Sequence, residues 1–113
     1  MNWMNYLFVY GTLCPNRENS HWLENIGGTW QKASVNGVVH ILDWGPDRGL
    51  PAIVLDQNAP PVAGYCFSTE KLAQHWDILD EFEGMQYQRV QAMIQLESGE
   101  QKAAWVYEMK NAA

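Results

Sequence analysis

The sequence has few cysteines, few positive charges and no long apolar run. Its only cysteines, Cys14 and Cys66, are too few for a disulfide framework, and no Cys-x-x-Cys pair offers a zinc or redox motif. Cysteine use of this kind is typical of a reducing compartment, so we expect a cytoplasmic protein. The apolar run from Tyr6 to Tyr10 is too short for a membrane span or a signal-peptide core, which predicts a soluble, unprocessed chain.

Positive charge is scarce as well. Seven Lys and Arg residues face 13 Asp and Glu residues, which gives a net charge of -6. Such a field repels phosphate backbones and anionic lipids. We therefore expect neither nucleic acid nor membrane as a partner, while the oligomeric state stays open.

Apolar material is plentiful. The chain has 113 residues, of which 47% are hydrophobic and 12% aromatic, enough for one dense core. The length predicts a single domain over residues 1–113 with one site at most. The six tryptophans are expected mostly in the core, although Trp44 lies in a Gly/Pro-rich loop and could line a pocket or a contact surface.

Turn residues divide the chain into short segments. The patterns predict, in chain order, strand 6–9, a helix from a Ser20 cap through Ile26, extended chain over 29–42 with a hairpin at Asn36-Gly37, strands 52–55 and 62–67, a helix from a Ser68 or Thr69 cap to Gly84, and strands 87–96 and 101–109 joined by a turn at 97–100. This order predicts a small α+β fold built on a mixed, barrel-like sheet, with the main helix central in the chain order.

One acidic residue shares the apolar face of the second helix. At 100° per residue, Leu72, Trp76, Leu79 and Glu83 point in similar directions. Desolvation and the negative end of the helix dipole should both raise the pKa of Glu83, which suits a general acid/base. The alternative is that the last turn frays and Glu83 belongs to a solvated acidic helix end.

Two stretches resemble the gamma-glutamylcyclotransferase family and its gamma-glutamylamine cyclotransferase relatives. Phe8-Val9-Tyr10-Gly11-Thr12-Leu13 is similar to the signature that follows the first strand of that family. Leu79-Asp80-Glu81-Phe82-Glu83-Gly84, followed by Tyr87 and Arg89, is similar to the family's Leu-Asp-x-x-Glu-Gly segment. Segments 49–52 and 62–65 also resemble intermediate parts of the family, so the similarity covers most of the chain.

The resemblance implies a barrel-like fold in which Glu83 is the catalytic acid/base. The family's reaction has the α-amine of a γ-glutamyl group attack its own γ-carbonyl, which yields 5-oxoproline and a free amine or amino acid. The expected partner is thus a small γ-glutamyl substrate, and neither a cofactor nor a metal is expected. Substrate binding is assigned to Tyr10, Gly11, Thr12 and Leu13, whose backbone N–H groups could hold a carboxylate or an oxyanion, and secondarily to Tyr87.

The sequence is also compatible with other interpretations. The fold could serve as a non-catalytic module that senses a γ-glutamyl or amino-acid-like metabolite, or as a structural partner protein. Cys14 with His21 could form a thiol nucleophile. Tyr87 could be an ordinary wall tyrosine, and Arg89 could form a surface ion pair instead of binding a substrate carboxylate.

Overall fold

A computed structural model describes residues 5–110 of the chain. The strands over these residues are β1 (Tyr6–Val9), β2 (Thr29–Ile41), β3 (Pro51–Leu55), β4 (Pro61–Ser68), β5 (Tyr87–Leu96) and β6 (Gln101–Met109). The helices are α1 (His21–Glu24) and α2 (Trp76–Glu83), and a 3₁₀ turn at Leu72–Gln74 precedes α2. No helix within the described range is long and apolar enough to cross a membrane.

Five strands close into a ring. β1 pairs antiparallel with β4 and parallel with β6, and the ring continues through the antiparallel pairs β4–β2, β2–β5 and β5–β6. β3 lies at one end, between the second half of β2 and β6. The predicted α+β fold with a small, mixed, barrel-like sheet is confirmed.

Strand alternation divides the core into two layers. On β1, Phe8 packs with buried residues of the barrel such as Cys66 and Val106. Its neighbours Leu7 and Val9 pack with Leu79 and other residues beneath the helices. Both faces of β1 are thus covered, which explains why its sequence is a continuous apolar run.

The predicted hairpin at Asn36-Gly37 is wrong. β2 runs through both residues without a turn, and Gly37 pairs with Leu55 of β3. A Cβ on Gly37 would lie 2.8 Å from the carbonyl oxygen of Val54. The glycine therefore permits a close approach of two backbones, and does not supply the positive φ angle of a tight turn.

The predicted helix from Ser68 or Thr69 to Gly84 is only partly correct. Its first part is a turn in which the Thr69 hydroxyl accepts a hydrogen bond from the Lys71 N–H, and the helical backbone is interrupted at His75 (φ -121°). Gly84 ends α2, as predicted, and its φ of 86° is one that favours glycine. The other predicted cap, Ser20, makes no side-chain capping bond, because its own backbone is already helical.

Candidate active site

A cavity of about 180 Å³ opens where the end of β1, the end of α2 and the loop before β3 meet. Its lining includes the six residues assigned to catalysis and substrate binding from the sequence: Tyr10, Gly11, Thr12, Leu13, Glu83 and Tyr87. Residues far apart in the sequence thus share one concave surface. The cavity is large enough for a small metabolite of amino-acid size.

Glu83 enters the cavity from the last turn of α2. Its helix is fixed by the buried side chains of Trp76 and Leu79, which lie on the same stripe. The last turn is intact, since the Gly84 N–H bonds to the Asp80 carbonyl oxygen at 3.1 Å, and Glu83 is a partly buried residue of the cavity wall. Within residues 5–110 its carboxylate has no hydrogen-bond or ion-pair partner.

The surroundings of Glu83 disfavour its charged form. Burial raises the pKa of Glu83 from 4.5 to about 7, with further contributions from the negative charges of Asp47 and Asp80. A carboxyl group that titrates near neutrality can accept a proton and return it at similar cost. This electrostatic setting is the strongest chemical feature of the cavity.

Two tyrosine hydroxyls of the cavity are already used by the fold. The Tyr10 hydroxyl donates to the Tyr107 carbonyl oxygen at 2.7 Å and accepts from the Ile53 N–H at 3.0 Å. The Tyr87 hydroxyl donates to the carbonyl oxygen of Pro51 at 2.7 Å. Burial raises the pKa of both phenols above the ordinary value of 10, so both side chains stay neutral, and their hydrogen bonds hold β3 against the sheet.

The turn after β1 presents backbone donors. Within the described residues, the N–H groups of Gly11, Thr12 and Leu13 have no acceptor, whereas the next N–H, of Cys14, bonds back to the Gly11 carbonyl at 3.1 Å. The Asn19 side chain donates to the Thr12 hydroxyl at 3.0 Å, which leaves the hydroxyl proton of Thr12 free to donate. The turn can therefore offer several donors to an anionic group.

The neighbouring acid Asp80 has a structural role. It accepts two hydrogen bonds from Arg89, at 2.9 and 3.2 Å, and one from the Tyr107 hydroxyl at 2.6 Å. Burial raises the pKa of Asp80, but these bonds outweigh it and the net pKa is lowered. The Arg89 guanidinium also lies over the rings of Trp76 (4.2 Å) and Trp105 (4.5 Å) and does not line the cavity. Arg89 therefore forms an ion pair that braces α2.

Cys14 is not placed for nucleophilic chemistry. The thiol is buried outside the cavity lining, and burial raises its pKa to about 11, against a smaller opposing effect of Arg17. His21 does not line the cavity either. The exposed indole of Trp44 likewise lies outside the lining. Within residues 5–110, no three His, Cys, Asp or Glu side chains come together in a way that could hold a metal ion.

The sequence did not single out several other lining residues. Asn19, Asp47, Phe82 and Tyr107 all contribute to the wall. Asp47 and Asn19 belong to loops whose paths depend on distant contacts, and Tyr107 reaches the cavity from β6. Of these four residues, only Phe82 could have been found from the sequence, because it stands beside Glu83 in the segment from Leu79 to Gly84.

The sequence model of the family described as gamma-glutamyl cyclotransferase, AIG2-like, matches residues 7–113 of this chain. A comparison with functionally curated proteins gives no match.

Several solved structures share this fold at low sequence identity. YkqA from Bacillus subtilis superposes with a TM-score of 0.72 at 24% identity over 94% of this chain and 36% of its own. An AIG2-like protein from Mus musculus gives 0.69 at 21% identity over 96% of this chain and 79% of its own. A protein named gamma-glutamyl cyclotransferase gives 0.68 at 18% identity over 95% of this chain and 67% of its own. The chain spans about a third of the length of YkqA, and these similarities show a shared fold.

Proposed function

The chain belongs to the gamma-glutamyl cyclotransferase, AIG2-like family, and from that premise we propose that it converts a γ-glutamyl amine or γ-glutamyl amino acid into 5-oxoproline and a free amine. Glu83 acts as the general acid/base. The observation that carries this proposal is an unpartnered carboxyl group in a small cavity, with its pKa raised to about 7 by burial and by Asp47 and Asp80.

The proton balance of this reaction suits a single carboxyl group. The α-nitrogen begins as an ammonium group and ends as an amide N–H, so it loses two protons, and the leaving nitrogen gains two. Ionised Glu83 takes a proton from the α-ammonium, the amine attacks the γ-carbonyl, and the protonated Glu83 then donates to the leaving nitrogen as its bond to carbon breaks. Glu83 carries the second proton by the same route, so it ends the cycle as it began.

The turn after β1 supplies hydrogen-bond donors for the negatively charged groups of the substrate. The unpaired N–H groups of Gly11, Thr12 and Leu13 hold the substrate α-carboxylate or the oxyanion that forms on the γ-carbonyl. Since Gly11 has no side chain, the substrate can approach this backbone closely. Tyr10 and Tyr87 contribute rigid walls, because their hydroxyls are bonded to the backbone.

No second reactant has to be recruited. The nucleophile and the electrophile belong to the same molecule, and the site mainly has to hold a folded conformer of it. Correct positioning of an intramolecular reaction can lower a barrier by about 7–11 kcal/mol. The glutamyl part, which carries both reacting groups, is of amino-acid size and matches the cavity of about 180 Å³.

The test is release of 5-oxoproline by the purified protein. Wild type is incubated with one γ-glutamyl amine and one γ-glutamyl amino acid, and 5-oxoproline and the free amine are quantified together. Glu83→Gln should lower kcat on the true substrate by about 10²-fold or more. Glu81→Gln, which removes an exposed carboxylate from the same helix outside the cavity lining, is the matched control.

Two results would contradict the proposal. Full activity of a correctly folded Glu83→Gln variant would exclude Glu83 as the acid/base. Equilibrium binding of both substrates by wild type without any release of 5-oxoproline would favour a sensing module of the same fold.

A further inference from the structure

A second carboxylate lines the same cavity. Asp47 belongs to the loop between β2 and β3 and is partly buried in the cavity wall. Its Oδ2 atom lies 3.3 Å from the position that a Cβ on Gly84 would occupy. The Asp47 carboxylate therefore sits over the backbone of the residue that follows Glu83.

A buried amide fixes the loop that carries Asp47. Gln86 is 4% exposed, its Nε2 donates to the Trp44 carbonyl oxygen at 2.8 Å, and its Oε1 accepts from the Asp47 N–H at 3.0 Å. Gly45, with φ 79°, packs against the amide so closely that a Cβ there would lie 2.7 Å from Oε1. Because both the oxygen and the nitrogen of this buried amide form hydrogen bonds to one turn, the amide holds that turn in place. Gln86 is thus a positioning residue for Asp47.

No group among the described residues neutralises the negative charge of Asp47. Among residues 5–110 the Asp47 carboxylate has no hydrogen-bond or ion-pair partner, in contrast to Asp80, which has Arg89 and Tyr107. The cavity lining contains Asp47 and Glu83 but no Lys, Arg or His. Burial raises the pKa of Asp47. Two neighbouring, partly buried carboxylates without a cation are unfavourable in their ionised form, and a positively charged ligand group between them offsets that unfavourable free energy.

The ligand group that fits is an ammonium. It has three N–H donors, so it can bond to two carboxylates at once and still point its third donor elsewhere. The α-ammonium of a γ-glutamyl group must come close to Glu83 for the proposed proton transfer. Asp47 lines the same cavity and is near enough for its charge to act on Glu83.

Resting on the proposed cyclotransferase function, we propose that Asp47 is a second substrate-binding residue, whose carboxylate accepts a hydrogen bond from the substrate α-ammonium while Glu83 takes its proton. After the transfer, the remaining N–H bond to Asp47 orients the amine toward the γ-carbonyl. Asp47 thereby makes the site selective for γ-glutamyl groups that carry a free α-amine.

The test compares two probes that differ only at the α-carbon. L-Glutamine is a γ-glutamyl amide with an α-ammonium, and 4-carbamoylbutanoate has a hydrogen atom in its place. Their dissociation constants are measured by calorimetry for wild type, Asp47→Asn and Asp43→Asn. Asp43 is an exposed acid in the same loop outside the cavity lining, so its variant controls for the loss of one loop charge.

We expect Asp47→Asn to weaken glutamine binding by about tenfold or more, the usual scale for a hydrogen bond between charged groups. Binding of 4-carbamoylbutanoate should stay the same or tighten, and Asp43→Asn should behave like wild type. An Asp47→Ser variant, which also removes the charge, should repeat the selective loss and guards against a folding defect in one variant.

Several outcomes would overturn the proposal. They are equal weakening of both probes by Asp47→Asn, unchanged glutamine affinity in that variant, and failure of wild type to bind glutamine. These measurements need no turnover. If wild type releases no 5-oxoproline, the proposed function fails, while the comparison of the two probes still decides the role of Asp47.

Discussion

Replacing Glu83 by glutamine should make the protein more stable at alkaline pH and leave its stability in acid nearly unchanged. Burial, with Asp47 and Asp80, raises the pKa of Glu83 in the folded state from 4.5 to about 7. Between these two values the unfolded chain releases a proton that the folded protein retains. The free energy of unfolding therefore falls as pH rises through this window, and the loss is complete above pH 7.

The size of the effect follows from the shift. A change from 4.5 to about 7 corresponds to about 3 kcal/mol of destabilisation by the ionised carboxylate. Glutamine resembles the protonated acid at every pH and avoids this cost. The gain of Glu83→Gln over wild type should thus be close to zero at about pH 4.5 and approach about 3 kcal/mol at about pH 8.

The assay is urea unfolding of both proteins at these two pH values. Glu81→Gln gives the effect of removing one exposed charge from the same helix, and that effect is subtracted. A Glu83→Gln variant that shows the same difference from wild type at both pH values would refute the reasoning. So would a variant that is less stable than wild type at alkaline pH.

Three further predictions concern the pH profile, the buried thiol and the barrel. Because ionised Glu83 is the base, kcat/KM should fall as the pH drops below an apparent pKa of about 7. Asp47→Asn removes a neighbouring negative charge and should move that inflection to lower pH. An unmoved inflection in steady-state assays over pH 5–9 would contradict this. Cys14→Ala should keep 5-oxoproline release within about twofold of wild type, because the thiol is buried and its pKa is raised to about 11; a 10²-fold loss would restore the thiol mechanism. Gly64→Ala should lower the free energy of unfolding by about 1–3 kcal/mol, because a Cβ there would lie 2.7 Å from the Phe8 ring. If urea denaturation gave the same free energy of unfolding as for wild type, the barrel would have to expand to admit the methyl group, against this prediction.

Local signals were sufficient for much of the sheet. The bounds of β5 and β6 follow from the turn residues that separate them at 97–100, where Gly99 has a φ of 93°. At Gly37 the same kind of signal failed, because the glycine serves a contact with β3 that is distant in sequence. His75 interrupts the predicted helix without any breaker residue in the sequence.

In the candidate site, too, some residues could be predicted from the sequence and others could not. Helical periodicity placed Glu83 in line with Leu79, and the resemblance supplied the turn from Tyr10 to Leu13, so these residues could be anticipated. Asp47 could not, because its position depends on a hydrogen bond with Gln86, 39 residues later in the chain. Contacts of this kind leave no periodic trace in a single sequence.

The ionisation of Glu83 tests the central claim most directly. Protein labelled with ¹³C at the glutamate side-chain carboxyl carbons can be titrated by NMR, and the Glu83→Gln variant identifies the signal of Glu83 by its absence. A sheltered, unpartnered carboxyl group beside Asp47 and Asp80 predicts a midpoint near 7. A midpoint near 4.5, the ordinary value for glutamate, would contradict the account.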